Sequence, residues 1–182
     1  MVGINIDGSS VEDAVVALLQ QELGGVIAEM NTATKDDPAL SAPPSTRIEI
    51  MPGERDDEHP PTGPAVVRVW VLDSSSTGAA LCIGVDRLEH SLEVRVYSDG
   101  LTSDGSDPIR LQTALSRRVR RLARAVQVAI QRHLLTWPDV EVDAVVDAEG
   151  SNRPLAIRAR PNCLGIALRF DVFQKVYSGH YG

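Results

Sequence analysis

The sequence predicts an α+β fold: a mainly antiparallel sheet flanked by two helices, in a single domain. Three observations predict it. Several short segments alternate apolar and polar residues with a period of two, as strands with one buried and one wet face do. Two segments, one near the start and one past the midpoint, carry apolar residues at helical spacing. Helix, strands, helix and strands follow one another in blocks rather than in βαβ alternation, which segregates the layers. At 182 residues the chain has an ordinary one-domain length. The whole of 1–182 reads as one domain, with a long, partly flexible acidic and proline-rich connection at 31–64.

In chain order, Ser10 and Asp13 resemble a capping box, with Asp replacing the usual Glu or Gln. They would open a helix over "VEDAVVALLQQEL". Gly24-Gly25 should stop or kink it, although "VIAEM" can carry it on to Met30. "NTATKDDPALSAPPS" has no periodicity and reads as a connection. "TRIEIM" is a short strand, and "PGERDDEHPPTGP" after it an exposed acidic loop. "AVVRVWVLD" is a strand with Val67, Val69 and Val71 on one face and Arg68 and Trp70 on the other. "SSSTG" reads as a turn, as does Asp73-Ser74-Ser75-Ser76, and "AALCIGV" as the next strand. "HSLEVRVYS" alternates most cleanly, Leu92, Val94 and Val96 against a wet face of Ser91, Glu93 and Arg95.

Asp107 then offers an N-cap and Pro108 a first helical residue. The second helix should run to Leu135, where "LLTWP" ends it. Leu111, Leu115, Val119, Leu122, Val126 and Ile130 fall within a sector of about 100°. Arg110, Arg117, Arg121, Arg124 and Arg132 lie opposite, with Arg118 and Arg120 on the flanks. Three further strands are expected at "VEVDAVV", "PLAIRAR" and "LGIALRFDVFQKVY". In the last, Ile166, Leu168, Phe170 and Val172 alternate with Arg169 and Asp171.

The composition, 43% hydrophobic and 24% charged, is that of a globular protein, and aromatics at 4% leave the core to Val, Leu, Ile and Ala. No apolar run approaches the roughly 20 residues of a membrane-spanning helix. "MVGINIDGSS" has neither a basic nor an apolar region, so no signal peptide is expected. Cys82 and Cys163 sit in strand-like contexts and read as buried free thiols rather than a disulfide or metal pair. There is no P-loop, GxGxxG, HExxH, GxSxG or paired CxxC. His59, His90, His133 and His180 are scattered, His133 in the apolar sector of its helix. Asp99, Asp104 and Asp107 lack the spacing of a calcium loop and read as turn and cap residues. No catalytic, cofactor-binding or metal-ligating residue is expected, and no enzyme.

Charge is the informative property. The net charge is -7, yet seven of the 18 Lys+Arg lie between Arg110 and Arg132, where no acid occurs. The remaining 11 bases face 25 acids, a net of -14 outside that segment. A merely solvated helix face normally mixes signs for solubility. An unmixed arginine face calls for an anionic partner: a phosphate, an acidic protein surface or a neighbouring copy of this acidic body. No aromatic residue interleaves the run, so the stacking that single strands need is missing. A helix packed along a sheet also enters a major groove poorly. The preferred partner is therefore a protein, ahead of solvent and of nucleic acid.

The order of elements, with "PAVVRVWVLD", "RLEHSLEVRVYSDG", the "SDP" helix start and the closing "ALRFDVFQKVY", resembles the tail terminator proteins of long-tailed, lambda-type bacteriophages. The resemblance runs from Val11 to Tyr177 and lies in topology and pattern, without an invariant motif. The chain departs from the family in its longer 31–64 connection and its extended arginine-rich helix. The resemblance implies a homo-oligomeric ring, a hexamer, seated on the tail tube protein and facing the head-tail connector or stopper protein. Genomic DNA would pass through its lumen without specific binding. Such a protein works without catalysis or cofactor, is assembled in the bacterial cytoplasm and ends in the neck of the virion. Arg117, Arg120, Arg121 and Arg124 are then the expected interface residues, and Glu54, Asp56, Asp57 and Glu58 their acidic counterpart. The alternatives are another neck component, a stopper or adaptor, or a small nucleic-acid-binding regulator that uses the arginine helix.

Overall fold

The computed structural model describes residues 8–33, 39–51, 65–76, 85–99, 108–133, 137–155 and 163–177. They form two helices, α1 (Ser9–Ala33) and α2 (Pro108–Arg132). The six strands are β1 (Ile48–Ile50), β2 (Val66–Ser76), β3 (Val85–Asp99), β4 (Val142–Asp147), β5 (Arg153–Leu155) and β6 (Cys163–Tyr177). The expected loop at Glu54–Glu58, Cys82, the cap at Asp107 and the carboxylate of Asp104 lie outside the described residues. So does the expected strand at "AALCIGV", apart from Val85.

The strands make one mixed sheet in the order β1-β2-β3-β6-β4, with β5 also paired to β6. β1 runs parallel to β2, and the pairs β2–β3, β3–β6, β4–β6 and β5–β6 are antiparallel. β3 and β6 pair from Val85 opposite Tyr177 to Asp99 opposite Cys163. Directly paired residues share a face. Val67, Val69 and Val71 of β2 therefore line one face together with Leu92, Val94, Val96, Ile166, Leu168, Phe170 and Val172. That face forms a single core with Val15, Leu19 and Leu23 of α1 and with Val119, Leu122, Val126 and Ile130 of α2. α1 packs on β1 and β2, α2 on β3 and β6, and the helices on each other. Ala125 and Ala129 of α2 are both fully buried in this core.

The start of α1 differs from the capping-box expectation. Gly8, at φ 73°, precedes the helix, and its carbonyl accepts from the N–H groups of Val11 at 3.0 Å and Glu12 at 3.1 Å. Ser10 already lies inside the helix, exposed. Glu12, in the first turn, accepts the N–H of Val71 at 2.8 Å. That contact answers a break in β2: the register slips between Val71 and Asp73, a bulge that leaves Leu72 unpaired. A bulge disrupts the ladder locally and reverses which side chains face which way. Val71 points to the core, and after the bulge it is Ser74 that does so, as partner of His90. Asp73 to Ser76 are thus strand residues and not the expected turn.

The far edge of the sheet is also interrupted. β4 pairs with Phe170 to Gln174 and β5 with Gly165 to Ala167, so the two lie in line along β6. The turn between them leaves no β6 group orphaned: the Arg169 carbonyl accepts from Ala148 N at 2.9 Å, and the Arg169 N–H donates to Ser151 Oγ at 3.1 Å. Gly150 and Asn152, at φ 82° and 62°, supply the left-handed backbone this turn needs. Farther along β6, Gly165 lies beneath the Tyr97 ring, where an added Cβ would approach Tyr97 to 3.0 Å.

Gly24 and Gly25 do not end α1, which continues to Ala33. Leu23, Val26 and Ile27 on either side are buried, and this packing overrides the low propensity of the glycines. Both glycines are exposed, with no atom within 4 Å of where a Cβ would stand. Gly24→Ala with Gly25→Ala is therefore expected to stabilise the protein by about 1–2 kcal/mol, read as a higher midpoint in urea at unchanged slope.

Candidate functional site

The arginines of α2 divide by what they touch. Leu115, Val119, Leu122, Val126 and Ile130 are buried as expected, which turns the opposite side of the helix outward. Arg117, Arg120 and Arg124 are exposed along that side. Arg121, expected among them, leans towards α1 and donates to Asn31 Oδ1 at 3.1 Å. The same Asn31 amide clamps the backbone of Leu40, accepting its N–H and donating to its carbonyl, both at 2.9 Å. Arg121 therefore helps to tie the end of α1 to the chain that follows it. Arg132 likewise crosses to Glu29 of α1, at 2.6 Å. The exposed strip on the outward side is Arg117, Arg120 and Arg124. One side of it borders β4: Arg124 donates to Gln127 Oε1, and Gln127 donates to Asp147 Oδ2, both at 2.8 Å. The proposed acidic counterpart, Glu54, Asp56, Asp57 and Glu58, lies outside the described residues.

The sheet face away from the helices holds a buried ion cluster that alternation alone hides. Glu93, expected on a wet face, is 1% exposed, and Arg95 is buried beside it. Arg95 Nε donates to Glu93 Oε1 at 2.7 Å, and Arg169 Nε donates to Oε2 at 2.8 Å. The register makes this inevitable, since Glu93 and Arg169 are direct partners and Arg95 lies two residues along the same face. Burial works to raise the Glu93 carboxyl; the hydrogen bonds and charges of Arg95 and Arg169 outweigh it and hold the group below the usual carboxylate value. In the next β2 position, Arg68 pairs with Glu49 of β1 at 2.9 Å.

A second polar group is buried on the helix side. Ser74 Oγ lies 2.8 Å from His90 Nδ1, and His90 Nε2 lies 2.9 Å from Gln174 Oε1. With the Gln174 oxygen as acceptor, Nε2 carries the imidazole proton and Nδ1 accepts the serine hydroxyl. A serine hydrogen-bonded to a histidine has the outline of an activated nucleophile. Here the third partner is a neutral amide, and α1 begins directly above: a Cβ on Gly8 would lie 2.9 Å from Ser74 Oγ. The arrangement closes a polar gap in the core. Burial is the larger influence on His90 and lowers its pKa, against the opposing hydrogen bond to Gln174. Elsewhere, the partly buried His133 lies 3.5 Å from Glu22 of α1, and Cys163 is buried. Among the described residues no group of three or more His, Cys, Asp or Glu side chains could hold a metal ion.

Compared with protein-family models and with curated proteins, the chain matches none.

Two outcomes are expected. Glu93→Ala leaves the buried Arg95 and the partly exposed Arg169 without their carboxylate and should cost about 3 kcal/mol in chemical denaturation. His90 titrates in the unfolded chain near the ordinary histidine value of 6.5 and lower than that in the native state. The unfolded state therefore binds more protons as the pH falls through 6.5, and native stability declines until the native histidine protonates too. His90→Gln should flatten that part of the urea-stability profile; an unchanged slope would assign it to another group.

Proposed function

We propose that this chain is a structural subunit of a tailed-phage neck, the tail terminator ring that caps the tail tube and joins it to the head-side connector. The observation that carries the reading is the outward strip of Arg117, Arg120 and Arg124 on a chain whose net charge is -7. A ring of identical subunits needs two unlike, complementary patches on each copy. An unmixed basic strip on an acidic body supplies the chemistry of one such pair. A mainly antiparallel sheet flanked by two helices is also the architecture that the resemblance implies.

In this reading the partners are other copies in a hexameric ring, the tail tube protein and the connector or stopper protein. The work is done by interfaces, with no catalytic step and no cofactor. Genomic DNA passes through the lumen, where net negative charge denies it the phosphate contacts that drive non-specific binding. The protein assembles in the host cytoplasm and remains in the tail neck of the virion. Among the described residues, no helix is long and apolar enough to cross a membrane.

Light scattering on the purified protein at low and high salt, with and without DNA, tests the reading. The expected result is a ring, formed alone or once tail tube or connector protein is added, whose mass DNA does not change. A stable monomer or dimer that gains mass on DNA at low salt would instead make α2 a phosphate-binding helix.

A further inference from the structure

We infer that the sheet face turned away from the helices receives the arginine strip of α2 from a second copy of this chain. The inference rests on the ring reading and names the acidic side of its interface. The register sets Asp73, Ser91, Asp171 and Val146 in one row across β2, β3, β6 and β4. The adjoining row holds Ser75, Glu89, Phe173 and Ala144. The bases near these rows are already engaged: Arg87 with Asp143 at 3.2 Å, Lys175 with Glu141 at 3.4 Å and Arg169 with Glu93 at 2.8 Å. Asp73, Glu89 and Asp171 are the acids left over, without an arginine or lysine partner among the described residues.

Spacing and polarity both suit α2. Asp73 and Asp171 stand two strands apart, roughly 10 Å. Arg117 and Arg124 stand seven residues apart on one side of a helix, also roughly 10 Å, with Arg120 between them. The acidic rows carry apolar surface as well: Val146 is 52% exposed and Phe173 is half-buried under the Arg87 guanidinium, 4.2 Å from its ring centroid. Among the described residues no helix covers this face.

The two patches lie on opposite sides of the subunit, since α2 and the acidic rows flank the sheet from opposite faces. Opposite, unlike patches join head to tail and repeat, whereas a two-fold dimer through α2 would set arginine against arginine. Each copy would thus lay its helix layer on the acidic rows of the next copy's sheet.

The experiment compares four proteins in the setting where the wild type assembles: the wild type, Arg120→Glu with Arg124→Glu, Glu89→Arg with Asp171→Arg, and all four changes in one chain. Circular dichroism checks that each is folded, and light scattering reads the assembly. Each pair alone should weaken self-association about a hundredfold or more, since like charges then meet. The fourfold variant should reassemble, and so should an equimolar mixture of the two pair variants. Assembly untouched by the Glu89/Asp171 pair, or lost in both pairs without rescue on combination, would overturn this interface and leave the ring reading standing. A wild type that joins neither itself nor tail tube and connector proteins would overturn the ring reading, and this inference with it.

Discussion

The antiparallel ladder between β3 and β6, running from Val85 opposite Tyr177 to Asp99 opposite Cys163, decides which side chains can meet. With a period of two, a slip of β3 by one residue against β6 would send Leu92 and Val94 away from the helices and bring Glu93 under them. The apolar set alone would hold this register. The other face holds it too, because only this alignment puts the Glu93 carboxylate between two guanidinium groups. A buried ion pair adds little net stability when its desolvation is counted, yet breaking one is costly. The cluster therefore acts chiefly against wrong registers, by making them leave a charge buried and alone.

The same ladder accounts for what could be read from the sequence. Val67, Val69, Val71, Leu92, Val94, Val96 and the alternation in β6 were legible, because burial of one sheet face writes itself as a period of two. The apolar stripe of α2 was legible for the equivalent helical reason. The wetness of the Glu93 face was misjudged: alternation shows that two faces differ in chemistry, and charged residues can pair with one another as well as with water. Arg95 and Arg169 are 74 residues apart, and nothing local signals that they share a carboxylate. The bulge at Leu72 was equally invisible. "DSSS" has turn composition, and only a partner strand and Glu12 from α1 hold it extended.

Helical periodicity likewise placed the arginines on one side of α2 but could not say what stood beside that side. α1 lies along one flank, and so Arg121 and Arg132 reach across to Asn31 and Glu29 and tether the two helices. Gly24-Gly25 misled for a related reason. Propensity disfavours glycine within a helix by about 1 kcal/mol each, while the side chains of Leu23, Val26 and Ile27 are buried on the sheet side of the same turns. Burial of three such side chains, at roughly 1.5–3 kcal/mol each, outweighs the two glycines.

Arginine is thus used in two ways in this chain, and the contrast bears on function. Arg95 and Arg169 are matched within the subunit to a carboxylate fixed by the ladder, and Arg68, Arg87 and Arg132 each have an acid within 3.2 Å. Arg120 and Arg124 belong to an otherwise acid-poor helix and extend outward in a molecule rich in carboxylates. Self-repulsion along such a strip works against the folded helix, and mixing in glutamates would relieve it. The strip is costly for the monomer alone and would serve the proposed assembly, where the guanidinium groups would bring planar, weakly hydrated donors to carboxylates of another copy. In the proposed ring, an interface made this way would gain its selectivity from charge, so that helix meets sheet and not helix, and the direction of growth would be set before any apolar contact closes.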